Sequence, residues 1–293
     1  MKDVYLGSHL SLKSPDYFLG AAKEAIAWGE NAFMIYTGAP ANSLRLPLER
    51  LKIAEGQAYL RDAGFSLDNL VIHAPYIINL GQRQNEEKSE FARTFLKQEL
   101  RRVAGFGGHL LVLHPGSSLG LGEEEGLCAL VENLDRVLDE DETDVTVCLE
   151  TMAGKKNELG GDFSFYAKVL TSSHHADRLG ITLDTCHIND AGYDVNDAEA
   201  VLEEFDRVIG LSRLKVVHLN DSLNPRFSHK DRHANIGRGT IGFSALRAFA
   251  FHPKIAGIPT ILETPYIHEN PPYAKEILAL RENDSEALPS LDD

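Results

Sequence analysis

Along almost its whole length this chain alternates short apolar, β-branched runs with helix-like segments, and that alternation limits its possible folds more than any other feature. The runs are Val4–Leu10, Ala32–Tyr36, Leu70–His73, Leu110–His114, Val145–Glu150, Ile181–Asp184, Leu214–Leu219 and Ile258–Glu263. Between them the apolar residues change to a helical period. Ala92, Phe95, Leu96, Leu100 and Val103 make one stripe; Val201, Leu202, Phe205, Val208 and Ile209 make another that stops at Gly210. Ser14-Pro15 reads as the N-cap and first residue of an earlier helix, which Gly29 ends. Regular β–α alternation calls for a parallel sheet with helices outside it. Eight such units close most naturally into a single (β/α)8 TIM barrel, with a doubly wound open sheet as the alternative. At 293 residues there is room for one barrel of about 250 residues with extensions. No linker, low-complexity tract or repeat divides the chain. The expected organisation is one barrel domain, residues 1–281, and a loosely held tail, residues 282–293.

The His, Asp and Glu residues then indicate where such a barrel would work. His73, His114, Glu150, Asp184, His218 and Glu263 finish six consecutive predicted strands, the third to the eighth. Strand ends of a parallel barrel converge on one mouth, where barrel active sites sit. One such residue is an ordinary loop group; six in a row are not independent accidents. His187 lies one helical turn beyond Asp184, and Asp231 and His233 stand two residues apart in the stretch from Lys215 to Gly239. Alternate residues of an extended segment point the same way, so this Asp-x-His pair is expected to grip a cation from one side. Nine nitrogen and oxygen ligands exceed what one tetrahedral ion uses, and suit two or three ions sharing a bridging carboxylate. Imidazole with carboxylate favours zinc or manganese over calcium or magnesium. A multinuclear hydrolase is the leading class. His109, His174, His175, His252 and His268 read as surface or helix-edge residues, and His9 and His229 as groups that back the ligands.

Composition adds less. The net charge of −15 argues against a nucleic-acid partner only while the acids stand free. Each bound zinc ion would add about two positive charges and reverse the local field. No window approaches the ~18 apolar residues of a membrane span. The N-terminus has no apolar signal region, and Cys128, Cys148 and Cys186 are an odd, widely spaced set without CxxC. A reduced, cytoplasmic setting is expected.

With these residues in view, the sequence closely resembles the endonuclease IV family, zinc-dependent apurinic/apyrimidinic endonucleases among the xylose-isomerase-like barrels. The resemblance rests on GSHLS (7–11), YTGAP (36–40), VIHAPYIINLG (71–81), LVLHPGS (111–117), LETMAGKKNELG (149–160), LDTCHINDAGYD (183–194), VVHLNDS (216–222), SHKDRHANIGRGTIG (228–242) and ILETPY (261–266). It implies about three zinc ions, with manganese possible in part. One would be held by His73, His114 and Glu150, and a second by Glu150 as bridge with Asp184, His218 and Glu263. The third would be held by His187, Asp231 and His233. Glu150 is the implied catalytic residue, orienting the attacking water between the first two ions; the third ion would steady the departing 3′-oxygen. The implied reaction is cleavage on the 5′ side of an abasic site in double-stranded DNA, leaving a 3′-hydroxyl, with trimming of blocked 3′ ends. A monomer is expected.

For DNA contact, Tyr76 is expected to stack or wedge into the gap left by the missing base. Asn42 and Arg45, on the loop after YTGAP, would enter the minor groove, and Arg226, Lys230 and Arg232 would touch phosphate. Three departures from the family pattern touch these contacts: Lys156 where Gly is usual, Leu223 where Lys is common, and fewer basic residues in the 41–47 loop. Two other readings stay open. A sugar isomerase or epimerase would use only Glu150, Asp184, His218 and Glu263, leaving His187, Asp231 and His233 without a task. A non-catalytic DNA-binding barrel would hold structural metals, which usually sit in closed tetrahedra.

Overall fold

The computed structural model describes residues 4–290. Eight parallel strands close a barrel: β1 (Tyr5–Leu10), β2 (Phe33–Tyr36), β3 (Leu70–His73), β4 (Leu110–Leu113), β5 (Thr146–Glu150), β6 (Leu179–Asp184), β7 (Leu214–His218) and, after an excursion, β10 (Pro259–Leu262). Pairing follows chain order around the ring, and β10 returns to pair with β1, which rules out the open doubly wound sheet. The excursion is a two-stranded antiparallel pair, β8 (Asp221–Ser222) and β9 (His233–Ala234). Around the barrel lie α1 (Tyr17–Ala27), α2 (Ile53–Asp62), α3 (Glu86–Phe106), α4 (Glu123–Leu138), α5 (Phe163–Ser172), α6 (Thr185–Ala191), α7 (Ala198–Val208), α8 (Phe243–Ala250) and α9 (Tyr273–Glu282).

The helices follow their local chemistry. Asn85 caps α3, its side chain accepting from the Lys88 N–H at 3.0 Å, and Gly107 at φ 76° ends it. The predicted stripe Ala92, Phe95, Leu96, Leu100 and Val103 is the buried face of that helix. The first helix begins later than Ser14-Pro15 suggested: Asp16 is its N-cap and Tyr17 its first residue. Asp16 makes no capping bond because its carboxylate pairs with Lys52 Nζ at 2.7 Å. Two apolar layers result. One lies between helices and strands; the other fills the barrel with Ala32, Met34, Val71, Val112, Cys148, Val216 and Ile261.

Of the tail, residues 285–287 form a short 3-10 turn and Leu288 packs against the core, while residues 291–293 lie outside the described residues. Among the described residues no helix is long and apolar enough to cross a membrane.

Candidate metal centre

Strand alternation builds the site. Val71, Val112, Cys148, Val216 and Ile261 point into the barrel, so the residues two positions on, His73, His114, Glu150, His218 and Glu263, face the same axis one layer higher. Thr182 and Asp184, both fully buried, repeat the step on β6. That upper layer is the C-terminal mouth.

Glu150 is the hub of the layer. Its Oε2 lies 3.1 Å from His73 Nε2 and 3.0 Å from His114 Nε2. Its Oε1 lies 2.9 Å from His218 Nδ1, and His218 Nδ1 is 3.1 Å from Glu263 Oε2. Three groups have ligand atoms within 4.8 Å of one another: His73, His114 and Glu150; Glu150, Asp184, His218 and Glu263; and His187, Asp231 and His233. The first two share Glu150. Cys186 also lies near Asp184 and His233, but burial and the Asp184 carboxylate push its thiol well up, which keeps it protonated.

Backbone acceptors fix which ring nitrogen faces the centre. His73 donates Nδ1–H to the Ala74 carbonyl at 2.7 Å, leaving Nε2 towards Glu150. His187 donates Nδ1–H to the Thr151 carbonyl at 2.8 Å, and its Nε2 lies 3.1 Å from Asp231 Oδ1. Asp184 caps α6 by accepting from the His187 N–H at 2.7 Å, so one carboxylate positions two candidate ligands.

Several positioning groups gave no sequence signal of their own. Asn220 donates to Asp184 Oδ2 at 2.7 Å and accepts from the Glu263 N–H at 2.9 Å. The Tyr166 hydroxyl donates to the Glu150 carbonyl at 2.5 Å. Asp190 accepts from Ser222 Oγ at 2.7 Å and from the Asp231 N–H at 2.9 Å. Lys155 Nζ lies 2.6 Å from Asp231 Oδ2. Asn220, Asp190 and Lys155 fall inside quoted motifs, which is the one hint the sequence held.

The Asp231/His233 pair is not presented by an extended strand as expected. Phe227, His229 and Asp231 take left-handed backbone angles of φ 68°, 54° and 56°, and β9 begins only at His233. Such conformations in non-glycine residues cost of order 1–3 kcal/mol each and persist where the surroundings dictate them. Here the dictation is visible: the His229 N–H donates to the Asp190 carbonyl at 2.9 Å and the Phe227 N–H to that of Asn189 at 3.0 Å.

The centre's electrostatics are those of buried, mutually supporting charge. Burial opposes ionisation of Glu150, yet His218 and His114 hold it well below the usual carboxylate range. Glu263 is also lowered, His218 outweighing burial, and so is Asp231, mainly through His187. Burial opposes protonation of His187 and His218, but Asp184 and Asp231 raise the first, and Glu263 and Glu150 the second. Two neighbours stay neutral: burial lowers His9 to about 4 and, with Glu263 and Glu150, raises Tyr36 well above its ordinary value. His9 packs edge-on against Tyr36 and so stands behind the centre, whereas His229 is exposed and donates to the Ala153 carbonyl at 2.8 Å.

The donor set fits divalent metal. His233 Nε2 is buried without a hydrogen-bond partner among the described residues, 3.7 Å from both Asp184 Oδ2 and Asp231 Oδ1. That is too far for a hydrogen bond. A tetrahedral ion with bonds of ~2.0–2.1 Å holds its ligands about 3.3 Å apart, so a small contraction would seat one there.

Around the mouth, the predicted DNA contacts divide. Tyr76 is 54% exposed and lines a cleft of about 430 Å³ with Asn79, His114, Met152, Lys155 and Lys156. Asn42, Lys230 and Arg232 are exposed, and Arg226 is half-exposed beside Asp194 at 2.6 Å. Arg45 is a correction. Its guanidinium is buried, 2.7 Å from the fully buried Glu99, and lies over the Phe95 ring; it braces the loop and is not offered to phosphate. Lys156 adopts φ 47°, a backbone angle that suits the Gly usual at that position. Leu223 is 61% exposed at the rim.

The comparisons with known proteins agree with this geometry. The family model described as "Xylose isomerase-like TIM barrel" matches residues 22–283. A "Probable endonuclease 4" from Enterococcus faecalis is 48% identical over 284 residues, 95% of each chain. Another from Geobacillus sp. is 47% identical over 282 residues, 94% of each chain. Among solved structures, endonuclease IV from Thermus thermophilus superposes with a TM-score of 0.80 at 31% identity, covering 95% of this chain and 97% of that one. A D-tagatose 3-epimerase-like protein superposes with a TM-score of 0.69 at 19% identity, over 97% and 96% of the chains, a likeness of fold alone. With this barrel, these clusters at its mouth and relatives this similar along nearly its whole length, the chain belongs to the endonuclease IV family.

Proposed function

We propose that the protein is a DNA-repair endonuclease that hydrolyses the phosphodiester bond 5′ to abasic sites in double-stranded DNA, leaving a 3′-hydroxyl, and trims blocked 3′ ends. The carrying observation is the set of three His/Asp/Glu groups at the mouth, two of them joined by Glu150, in a chain 48% identical to an endonuclease 4. His73, His114 and Glu150 are the residues to hold one zinc ion, Glu150, Asp184, His218 and Glu263 a second, and His187, Asp231 and His233 a third, with manganese in part. Bound ions of this kind supply a strong nucleophile from water near neutral pH and neutralise charge on phosphate.

Glu150 faces both of the first two groups, so it sets their spacing and orients the attacking water. Asp231 and His233, on the braced loop, lie on the side of the departing 3′-oxygen. Lys155, already beside Asp231, adds a positive charge near the phosphate. Tyr76 fills the space of the missing base; an abasic nucleotide has no base to unstack, so its extrusion costs least and favours it as substrate. Lys230, Arg232 and Arg226 meet the backbone. The barrel, residues 1–281, works as one unit, in the cytoplasm and as a monomer.

The test is incubation of metal-loaded protein with an abasic duplex and with its intact counterpart, with and without chelator. Incision of the abasic strand alone, ending in a 3′-hydroxyl and lost on chelation, is expected. Failure to cut with about three ions bound per chain would overturn the reading. The fold likeness to an epimerase keeps one rival, which needs only the group around His218; activity on a ketose in place of DNA would favour it.

A further inference from the structure

At the end of the barrel opposite the mouth, α4 and α5 hand the chain back to β5 and β6. There Asp139, which follows α4, meets His174 and His175, which follow α5. His174 Nε2 lies 2.9 Å and His175 Nε2 2.8 Å from the same oxygen, Asp139 Oδ1. The rings are 4.5 Å apart, centre to centre. The two nitrogen–oxygen gaps need to open by only about 0.5 Å to match two edges of a tetrahedral zinc site, and all three ligand atoms already lie within 4.8 Å of one another.

The contacts that would back such a site are already built. The other nitrogen of His174, Nδ1, is 2.9 Å from Asp135 Oδ2. Asp135 is buried and accepts from Ser173 Oγ at 2.5 Å, and that hydroxyl in turn accepts from the His175 N–H at 3.1 Å. A carboxylate on the far nitrogen is the device that turns a metal-binding imidazole towards its ion and raises its basicity. Without a cation, His174 satisfies both carboxylates only by donating from both nitrogens. Neighbouring acids do not compete for the place, because Lys97 takes Glu140 and Arg178 takes Asp141.

We propose that Asp139, His174 and His175 form a peripheral site for a divalent transition metal of the zinc class, oriented by Asp135 and open to solvent at its remaining position. Such an ion ties the C-terminal end of α4 to the connection between α5 and β6. Being at the opposite end of the barrel, it contributes to stability and takes no part in incision.

The probe is zinc chloride, added to holoprotein whose mouth centre is already loaded. By equilibrium dialysis and elemental analysis, wild type should take up one ion more than the double variant His174→Ala/His175→Ala. Asp135→Asn should weaken that uptake by about 10–100-fold, as loss of an orienting carboxylate does. Zinc should raise the thermal midpoint of wild type and leave that of the double variant unchanged. The double variant should incise an abasic duplex at the wild-type rate; should it not fold, Asp139→Asn, which keeps both rings, takes its place. Equal zinc uptake by wild type and variant overturns the proposal. Loss of incision in a folded variant does so as well.

Discussion

Two glutamates of this barrel are almost equally buried and carry opposite charge states. Glu150, at the mouth, is 1% exposed and is held well below the carboxylate range, because His218 and His114 overcome the cost of burial. Glu30 lies in the connection between α1 and β2, at the other end, and is 4% exposed. Ser8 Oγ donates to its Oε1 at 2.5 Å, while its Oε2 has no partner among the described residues. Burial therefore wins, and the carboxyl is pushed up to about 8. Depth does not decide whether a buried acid is charged; the company of cationic or hydrogen-bonding groups does. The surroundings of Glu150 are an assembly of charge that invites cations, whereas the pocket around Glu30 holds a lone neutral acid.

The largest test of that contrast removes part of the mouth. Asp231→Ala with His233→Ala should release one ion per chain and abolish nearly all incision, with the barrel still folded by circular dichroism. Full metal content with normal incision would show that the third group is ornamental. Next comes the hub. Glu150→Gln keeps the shape and removes the charge, and should slow single-turnover incision by at least ~100-fold, roughly 2.7 kcal/mol of barrier. Binding of the same duplex should change much less, since an orienting group acts in the transition state. If binding weakens as far as the rate, Glu150 serves DNA affinity and not the chemical step.

The far end yields a smaller effect that depends on pH. Below pH 4.5 the Glu30 carboxyl is protonated in folded and unfolded chains alike, and its contribution to stability is fully present. Between 4.5 and about 8 the unfolded chain ionises while the folded one does not, so stability falls as pH rises and levels off above that range. The gap between 4.5 and about 8 sets an upper limit of about 5 kcal/mol, and relaxation around the site should leave about 2 kcal/mol. Glu30→Gln should flatten this slope in denaturant unfolding measured at pH 5, 7 and 9. An unchanged slope would mean that Glu30 is charged and the contrast with Glu150 is false.

The smallest effect separates two basic residues of the rim. Lys230→Ala should remove one phosphate contact and reduce the slope of log K against log salt by ~0.9, from a wild-type slope worth only a few phosphates. Arg45→Ala should leave that slope alone and lower stability, because its charge is spent on Glu99. A change in salt slope from Arg45→Ala would return that residue to the DNA surface.

The barrel and the six candidate ligands at its strand ends were legible in the sequence because both follow from local periods. Short continuous apolar runs define the strands, and the alternation of side-chain direction along each places His73 above Val71 and His218 above Val216. Knowing that the strands are parallel is then enough to bring their ends to one mouth. Tertiary structure decided what depends on contacts between distant residues, for which no local pattern exists. Arg45 reads as a free loop charge until Glu99, 54 residues away, buries it. The reach of Asp231 comes from a left-handed backbone angle braced by Asp190, 41 residues earlier, and not from strand alternation. His174 and His175 do lie at the surface, but only the packed chain brings Asp135 of α4 and Asp139 beyond it to meet them. Periodicity along the chain fixes which face a side chain takes; which groups share that face is set only when the ring of strands has closed and distant segments have packed.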